Sequence, residues 1–248
     1  MLKICVAGKN TCSIKIVSFL EKKFSKKNIM ILPNKEDKGI DGWQPSLKNY
    51  ARKKKLKIVK EKDLHKIKNL IFISIEYEEI LDIRKFLSKE LFNIHFSLLP
   101  KYRGCHTNYL QLKNGEKYSG VTIHKIDNGI DTGNIIDQIK YKIDINSDAF
   151  KNYNKLMYLS VLIFVKNFEK IVSRKYTQKK QNSKHSSYFS RKFVNYSKEM
   201  IIAKKENTLK FHNRIRALIF PPFQLPIYKG KKIGKTIFRK GRVHLKFV

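Results

Sequence analysis

Long apolar stretches are missing from this sequence. No run reaches the roughly 18 apolar residues that a membrane-spanning helix needs. The opening segment, residues 1–10, has only a short apolar run, which predicts a first strand followed by a loop rather than a secretory signal. We therefore expect a cytoplasmic protein without a membrane partner.

Cysteine is scarce as well. Cys5, Cys12 and Cys105 are scattered and form no CxxC pair, and no histidine lies at metal-ligand spacing. This pattern predicts reduced thiols in a cytosolic protein, with neither a structural zinc nor another metal.

Acidic residues are few. The 54 lysines and arginines stand against 20 aspartates and glutamates, which gives a net charge of +34. Such an excess is one mark of a nucleic-acid-binding surface, because lysine and arginine neutralise phosphates. A basic run occurs at residues 52–55, yet basic residues recur in nearly every other segment, and an even spread is not a footprint. We favour compositional bias over a nucleic-acid partner, and in either case the charge would attract small anions.

Apolar residues are plentiful enough for a globular core, at 42% hydrophobic and 12% aromatic. The first half alternates short β-rich runs with amphipathic patterns, which is typical of βαβ units and a largely parallel sheet. The predicted strands are residues 3–7, 29–32, 57–59, 70–74 and 92–96, and the predicted helices are residues 13–24, 46–54 and 78–86. Two further strands, 120–126 and 134–141, follow each other closely and predict an antiparallel or mixed continuation of the sheet.

The second half begins with a long apolar periodicity over residues 149–172, which predicts a packed helix. A polar segment, residues 173–187, then predicts a loop. The tail predicts a helix at 208–218, a turn at Pro221 and Pro222, and strands around 227–231 and 235–247. We therefore expect an α/β core over residues 1–180 and a small β-rich C-terminal appendage over 181–248. Its exposed strands would gain from pairing with a second copy, so we expect a homodimer.

The segment from Asn93 to Pro100 concentrates polar residues on one side of a predicted strand. Because alternate side chains share a face, Asn93, His95 and Ser97 would point one way, and Pro100 would end the strand. Open α/β sheets bind ligands at the carboxyl ends of their strands. An ordinary edge strand with a solvated polar face would show the same isolated pattern.

A second segment, residues 120–133, runs from a strand into a loop that carries Asp131 between two glycines. Glycine permits unusual backbone angles and close approach of a ligand to the main chain. A simple hairpin turn is the alternative, since Asn128-Gly129 is a good turn signal.

Together the two segments, NIHFSLLPKYRG and SGVTIHKIDNGIDTGNIIDQ, resemble the folate-dependent formyltransferases. This family includes methionyl-tRNA formyltransferase, glycinamide ribonucleotide transformylase and the sugar N-formyltransferases. The resemblance spans roughly residues 92–138 and implies a Rossmann-like formyltransferase core with a mixed, mostly parallel sheet. It also implies 10-formyltetrahydrofolate as the formyl donor, no metal, and Asn93, His95 and Asp131 as the catalytic residues.

The chemistry suits these residue types. A neutral amine that attacks a formyl carbonyl leaves negative charge on its oxygen, which the amide of Asn93 can stabilise by about 3 kcal/mol. His95 is suited to accept the proton that the amine loses. Asp131 can orient the imidazole, stabilise its charged form or help pass a proton to the folate nitrogen. For His124 we favour a structural or supporting role.

The acceptor is indicated by the N-terminal half. Residues 7–10, 32–35 and 39–46 resemble sugar N-formyltransferases, and the tail is too short for the separate C-terminal domain of the tRNA enzymes. The resemblance implies a dTDP-linked amino-dideoxy sugar such as dTDP-4-amino-4,6-dideoxyglucose, with the 4-amino position ahead of the 3-amino. The product would enter an O-antigen or another surface polysaccharide. The alternatives are a methionyl-tRNA formyltransferase and a non-catalytic basic nucleic-acid-binding protein.

Further binding residues follow from position. Lys9 and Asn10 would present a cation and backbone N–H groups to a phosphate, unless they form a plain strand-to-helix turn. Trp43 would stack on a base or sugar, or else anchor its loop in the core. The candidate substrate-binding residues are Lys9, Asn10, Trp43, Gln44, Lys101, Tyr102 and Arg103. The candidate folate-binding residues are Ser74, Tyr77, Asp127 and Gly129, with an aromatic at a helix start as the alternative for Tyr77.

Overall fold

A computed structural model describes residues 1–248. The chain divides into two compact units. The first unit comprises residues 1–95, 121–139 and 157–183, and the second comprises residues 96–120, 140–156 and 184–248. The predicted division into a core ending at residue 180 and an appendage stays a prediction.

The chain contains thirteen strands and six α-helices, and strands alternate with helices in its first half. The strands are β1 Lys3–Gly8, β2 Ile29–Pro33, β3 Lys57–Ile58, β4 Leu70–Ile75, β5 Glu90–His95, β6 Arg103–Gly104, β7 Tyr118–Lys125, β8 Ile135–Lys142, β9 Tyr188–Phe189, β10 Ile201–Ile202, β11 Ile227–Tyr228, β12 Lys231–Arg239 and β13 Arg242–Phe247. The helices are α1 Asn10–Glu21, α2 Leu47–Lys53, α3 Thr107–Lys113, α4 Ala149–Val172, α5 Tyr196–Glu199 and α6 Leu209–Leu218. Even α4, the longest, is not apolar enough to cross a membrane.

The main sheet has seven strands in the order β3-β2-β1-β4-β5-β7-β8. Strands β1 to β5 pair in parallel, and β7 pairs antiparallel to β5. The prediction of a mostly parallel sheet with a mixed continuation is therefore confirmed. Strand β4 is buried along its whole length, as its run of apolar residues requires in the middle of such a sheet.

In the first unit, apolar side chains from β1, β2 and β4 form one core cluster around Phe72 and Leu64. Helix α1 buries Ile16, Val17 and Leu20 along one face, which is the spacing that an amphipathic helix provides. This packing fixes the carboxyl ends of the parallel strands, where polar residues are concentrated.

The second unit contains the separate β-rich sheet that the tail sequence predicts. Four strands pair in the order β10-β11-β12-β13, and β12 and β13 form a hairpin. Helix α6 contributes Ile215 and Leu218 to a core that also contains Ile233 of β12 and Val243 of β13. Helix α3, of seven residues, was not predicted, because it is too short to show a periodicity.

The predicted helix at residues 78–86 is wrong. The segment contains only a short turn of 3-10 helix, Ile83–Lys85, and Asp82 caps it by accepting a hydrogen bond from the Arg84 backbone N–H at 3.2 Å. Leu81 and Phe86 are buried in the core of the first unit without a helix between them. The apolar spacing therefore reflects an irregular segment that packs its side chains inward.

Gly8 fits tightly where β1 leaves the sheet. Its φ is +142°, and a Cβ there would collide with the carbonyl oxygen of Ile75 on β4. We expect Gly8→Ala to lower the free energy of unfolding by about 2–3 kcal/mol, because backbone must move to admit the methyl group. Chemical denaturation measures this change. Gly42→Ala is the control, since a Cβ at Gly42 has nothing within 4 Å; equal effects of the two substitutions would contradict the expectation.

Candidate functional site

The first unit brings Asn93, His95 and Asp131 together. The amide nitrogen of Asn93 donates to Asp131 Oδ1 at 3.1 Å, and His95 Nδ1 lies 3.4 Å from Asp131 Oδ2. His124 joins the group, with its Nε2 3.4 Å from Asp131 Oδ1. The side chain of Asp131 is only 11% exposed, so the hydrogen bond from Asn93 forms in a largely dehydrated place where it is strong.

The pairing of β5 with β7 explains how residues far apart in sequence meet. Asn93 lies directly opposite His124 in the antiparallel register, and His95 lies opposite Thr122. Residues directly opposite each other have their side chains on the same face of the sheet. Asn93 and His124 therefore face the same side, and the Asp131 loop that follows β7 returns to them.

The hydrogen bonds of His124 define which of its nitrogens carries the proton. Its Nδ1 lies 2.7 Å from the carbonyl oxygen of Lys125, which can only accept, so Nδ1 is the donor. In the neutral ring Nε2 is then an acceptor, and it lies 3.2 Å from the amide nitrogen of Asn93. The two N–H bonds of Asn93 are thus directed at Asp131 and His124, which fixes the orientation of its amide.

The loop between β7 and β8 holds Asp131 in an uncommon conformation. Asp131 has a φ of +54°, in the left-handed region that favours glycine. Within the loop, Asp127 Oδ1 accepts from the Gly129 backbone N–H at 3.1 Å and from the Thr132 hydroxyl at 2.6 Å. A Cβ on Gly133 would collide with the carbonyl oxygen of Lys125, so only glycine fits there.

A further contact to this loop comes from Gln181, which lies in the polar segment 173–187. The side chain is buried, and its amide nitrogen donates to the carbonyl oxygens of Asp131 at 2.8 Å and Gly133 at 2.7 Å. A single glutamine in a polar segment carries no signal in one sequence that would have identified this contact.

Ser74 and Tyr77, the folate candidates on β4 and just after it, have different environments. Ser74 is buried and lies opposite Asn93 in the parallel register of β4 and β5. Tyr77 packs its ring edge-on against Phe72, with centroids 6.4 Å apart, and belongs to no helix. Burial, aided by Glu61 and Glu79, raises the pKa of the Tyr77 hydroxyl well above its usual range.

Four predicted substrate-binding residues line one cavity of about 390 Å³ in the first unit. They are Lys9, Asn10, Trp43 and Gln44. The side chain of Trp43 is not anchored in the core, since the residue is 39% exposed. Acidic and basic residues alternate around the cavity, and Lys9 Nζ pairs with Glu36 Oε1 at 2.7 Å.

Asn10 and Gln44 bind protein groups at the start of helix α1. Gln44 Oε1 accepts from the Thr11 backbone N–H at 3.0 Å and from its hydroxyl at 2.6 Å, so Gln44 caps the helix. The amide of Asn10 donates to Glu76 Oε2 at 2.7 Å. Glu76 directly follows β4, which lies between β1 and β5 in the sheet. The cavity that Asn10 lines and the group around Asn93 therefore both lie at the carboxyl ends of the parallel strands.

The remaining candidates lie in the second unit. Tyr102 is buried, its hydroxyl donates to Glu116 at 2.8 Å, and its ring stacks on Phe189. Its side chain therefore has a packing role. Lys101 and Arg103 flank it; Lys101 Nζ lies 3.9 Å from Glu116, and Arg103 begins β6.

The expectation that Ser97 shares the strand face of Asn93 and His95 is wrong. Strand β5 ends at His95, so the alternation of side chains stops before Ser97. Ser97 is buried in the second unit, and its hydroxyl donates to the carbonyl oxygen of Lys101 at 2.7 Å.

Comparison with known proteins gives the site a context. Residues 26–168 match the family model described as formyl transferase. The polymyxin resistance protein ArnA of Wigglesworthia glossinidia brevipalpis, a bifunctional protein, is 38% identical over 160 residues. That match covers 64% of this chain and 24% of ArnA, so the chain spans about a quarter of that relative's length.

Two solved structures are similar over nearly the whole chain. WlaRD, described as a sugar 3N-formyl transferase and crystallised with dTDP and 5-N-formyl-THF, is 45% identical with a TM-score of 0.91. That similarity covers 96% of this chain and 86% of WlaRD. The N-formyltransferase of Helicobacter canadensis, in complex with folinic acid and dTDP-3-aminofucose, is 40% identical, also with a TM-score of 0.91. That similarity covers 96% of this chain and 88% of the Helicobacter canadensis chain.

The tautomer of His124 can be tested directly. We expect ¹⁵N-detected imidazole NMR to show the neutral ring of His124 protonated at Nδ1 and unprotonated at Nε2, because Nδ1 donates to Lys125 and Nε2 accepts from Asn93. The spectrum of a His124→Gln variant assigns the signals by their loss. An Nε2-protonated neutral ring would contradict the hydrogen-bond scheme.

Proposed function

Because this chain belongs to the formyl transferase family, we propose that it moves a formyl group from 10-formyltetrahydrofolate to the amino group of a dTDP-linked amino-dideoxy sugar. It is an enzyme of formyl transfer. The observation that carries the proposal is the contact of Asn93 and His95 with Asp131 at the carboxyl edge of the sheet. The two relatives solved with folates and with dTDP or a dTDP-sugar support the choice of both substrates.

The residues of the site divide the chemistry between them. The folate co-substrate supplies an activated formyl group. Asn93 donates an N–H to the formyl oxygen as negative charge develops there, in place of one of its present acceptors, Asp131 or His124. The other partner of Asn93 remains hydrogen-bonded and keeps the amide oriented while this N–H turns to the formyl oxygen.

His95 and Asp131 manage the proton. With Nδ1 facing the Asp131 carboxylate, the neutral imidazole of His95 carries its proton at Nδ1 and accepts at Nε2. Nε2 takes the proton that the attacking amine releases as the new C–N bond forms, and the positive charge that results lies next to Asp131. The bond between the formyl carbon and the folate nitrogen then breaks, and His95 returns the proton to that nitrogen so that tetrahydrofolate leaves. The carboxylate thus stabilises the protonated imidazole without itself reacting.

The cavity beside helix α1 is the proposed site for the nucleotide. Lys9, Lys38 and the N-terminal end of helix α1 bring positive charge to this cavity, and a diphosphate bound there would replace Glu36 as the partner of Lys9. The exposed face of Trp43 offers a stacking surface for the base. Ser74, Tyr77, Asp127 and Gly129 remain the candidates for the folate. Lys101, Tyr102 and Arg103 remain predictions for the substrate.

The sequence resemblance and the two solved relatives point to different positions for the amino group on the sugar. The sequence resemblance favours a 4-amino sugar, whereas WlaRD is described as a 3N-formyl transferase and the Helicobacter canadensis enzyme was solved with dTDP-3-aminofucose. We therefore place a dTDP-3-amino sugar first and retain the 4-amino sugar as a prediction. The use of the product in a surface polysaccharide, the homodimer and the cytoplasmic location also remain predictions.

An acceptor panel tests the proposal. We expect the enzyme with 10-formyltetrahydrofolate to add one formyl group, detected by mass spectrometry, to a dTDP-amino sugar. The panel contains dTDP-3-amino- and dTDP-4-amino-dideoxyhexoses, a GDP-linked 4-amino sugar and methionyl-tRNA. Formylation of methionyl-tRNA alone would refute the sugar acceptor while preserving the reaction. Salt-sensitive RNA binding without any transfer would favour the non-catalytic alternative.

Substitution of His95 tests the proton acceptor. We expect His95→Asn to lower kcat by about 10²- to 10⁴-fold, because an amide cannot accept the proton of the amine. Steady-state kinetics on the formylated sugar measures the loss, and circular dichroism verifies the fold. His244→Asn is the matched control, since His244 is an exposed residue of β13 that the proposal gives no part in the reaction. Activity of His95→Asn close to that of the control would contradict the assignment.

A further inference from the structure

Gln181 connects the loop that carries Asp131 to a separate segment of the chain. Its amide nitrogen lies 2.8 Å from the carbonyl oxygen of Asp131 and 2.7 Å from that of Gly133. A primary amide has two N–H bonds, so each carbonyl receives one. The residue is 8% exposed, which keeps water from competing for these bonds. One side chain therefore bonds the carbonyl groups of the two residues that flank Thr132.

The backbone beneath Gln181 is itself fixed. Lys179 and Ile135 exchange two backbone hydrogen bonds, each 2.8 Å long, in an isolated antiparallel bridge at the start of β8. Gln181 follows two residues after Lys179, and Gly133 precedes Ile135 by two residues. The bridge thus fixes the distance between the backbone of Gln181 and that of Gly133, and the glutamine side chain adds further hydrogen bonds between the same two segments.

The loop places Asp131 in the left-handed region, which aspartate tolerates better than most residues but which still costs free energy relative to ordinary backbone angles. The left-handed φ of Asp131 persists only where surrounding contacts determine it. Asp127 fixes the loop from within through Gly129 and Thr132. Gln181 fixes the orientation of the peptide that follows Asp131, and this peptide determines where the Asp131 carboxylate points.

We propose that Gln181 is a positioning residue for formyl transfer, because it holds the Asp131 carboxylate against Asn93 and His95. This inference rests on the proposed function of the same site. Gln181 contacts the loop backbone rather than any reacting group, so its effect passes through Asp131. The inference therefore concerns the rate of the chemical step and not the affinity for either substrate.

The kinetic test compares matched pairs of variants of the full chain. We expect Gln181→Met, which keeps the length of the side chain without its donors, to lower kcat by about 10- to 100-fold with KM for both substrates unchanged. Gln181→Glu places an acceptor against two carbonyl oxygens, so its kcat should fall by at least as much as that of Gln181→Met. Gln178→Met and Gln178→Glu are the controls, because Gln178 lies in the same segment, is exposed, and bonds Asn134 at 3.3 Å. They should retain the kcat of the unmodified enzyme.

Hydrogen exchange provides a readout that does not depend on turnover. Gln181→Met should speed amide exchange in peptides covering residues 126–134 and leave α4 and β4 unchanged. Unchanged kcat in both Gln181 variants, or unchanged exchange in this loop, would overturn the inference. Faster exchange throughout the protein together with a change in KM would mean that Gln181 contributes only to overall stability. That outcome would also overturn the inference.

The same design separates the inference from the function on which it rests. If the unmodified enzyme formylates none of the acceptors, the proposed function fails, and with it the catalytic part of the inference. The exchange experiment still decides whether Gln181 holds the loop. If the unmodified enzyme is active and the Gln181 variants match it, the function stands and the inference fails alone.

Discussion

The site depends on the contacts of the Asp131 carboxylate with the residues around it. The carboxylate accepts from the amide of Asn93, and it faces His95 and His124 at 3.4 Å each. A largely buried carboxylate is costly unless polar partners surround it. Asn93 and His95 are also the groups that the proposed reaction uses, so the contacts that stabilise the buried carboxylate also orient the proposed chemistry.

This arrangement is built on a sheet of mixed direction. The parallel strands β4 and β5 place Ser74 beside Asn93, and the antiparallel β7 adds His124 on the same face. Because β7 runs antiparallel to β5, the chain leaves β7 beside Leu91, near the start of β5. The loop that follows must therefore turn back along β5, and the contacts of Asp131 with Asn93 and His95 show that it does.

Much of this could be predicted from the sequence, for reasons that differ between elements. The strands of the parallel sheet are short apolar runs because both faces are buried, and α4 has the bounds that its apolar periodicity indicates. Asn93, His95 and Asp131 were identified because several motifs occur in a fixed order. Periodicity was wrong at residues 78–86, where buried side chains extend from a loop, and it overlooked α3, which is only seven residues long. Gln181 was out of reach because its partners are 50 and 48 residues away along the chain.

That separation has a consequence for how the protein is made. Asn93, His95 and Asp131 are all synthesised well before Gln181, and the whole of α4 comes between them. A nascent chain that has just completed β8 holds every reacting side chain but not the bonds that fix the last of them. On the proposed role of Gln181, the site reaches its final geometry only after residue 181 has been made and the segment after α4 has closed the bridge at Ile135.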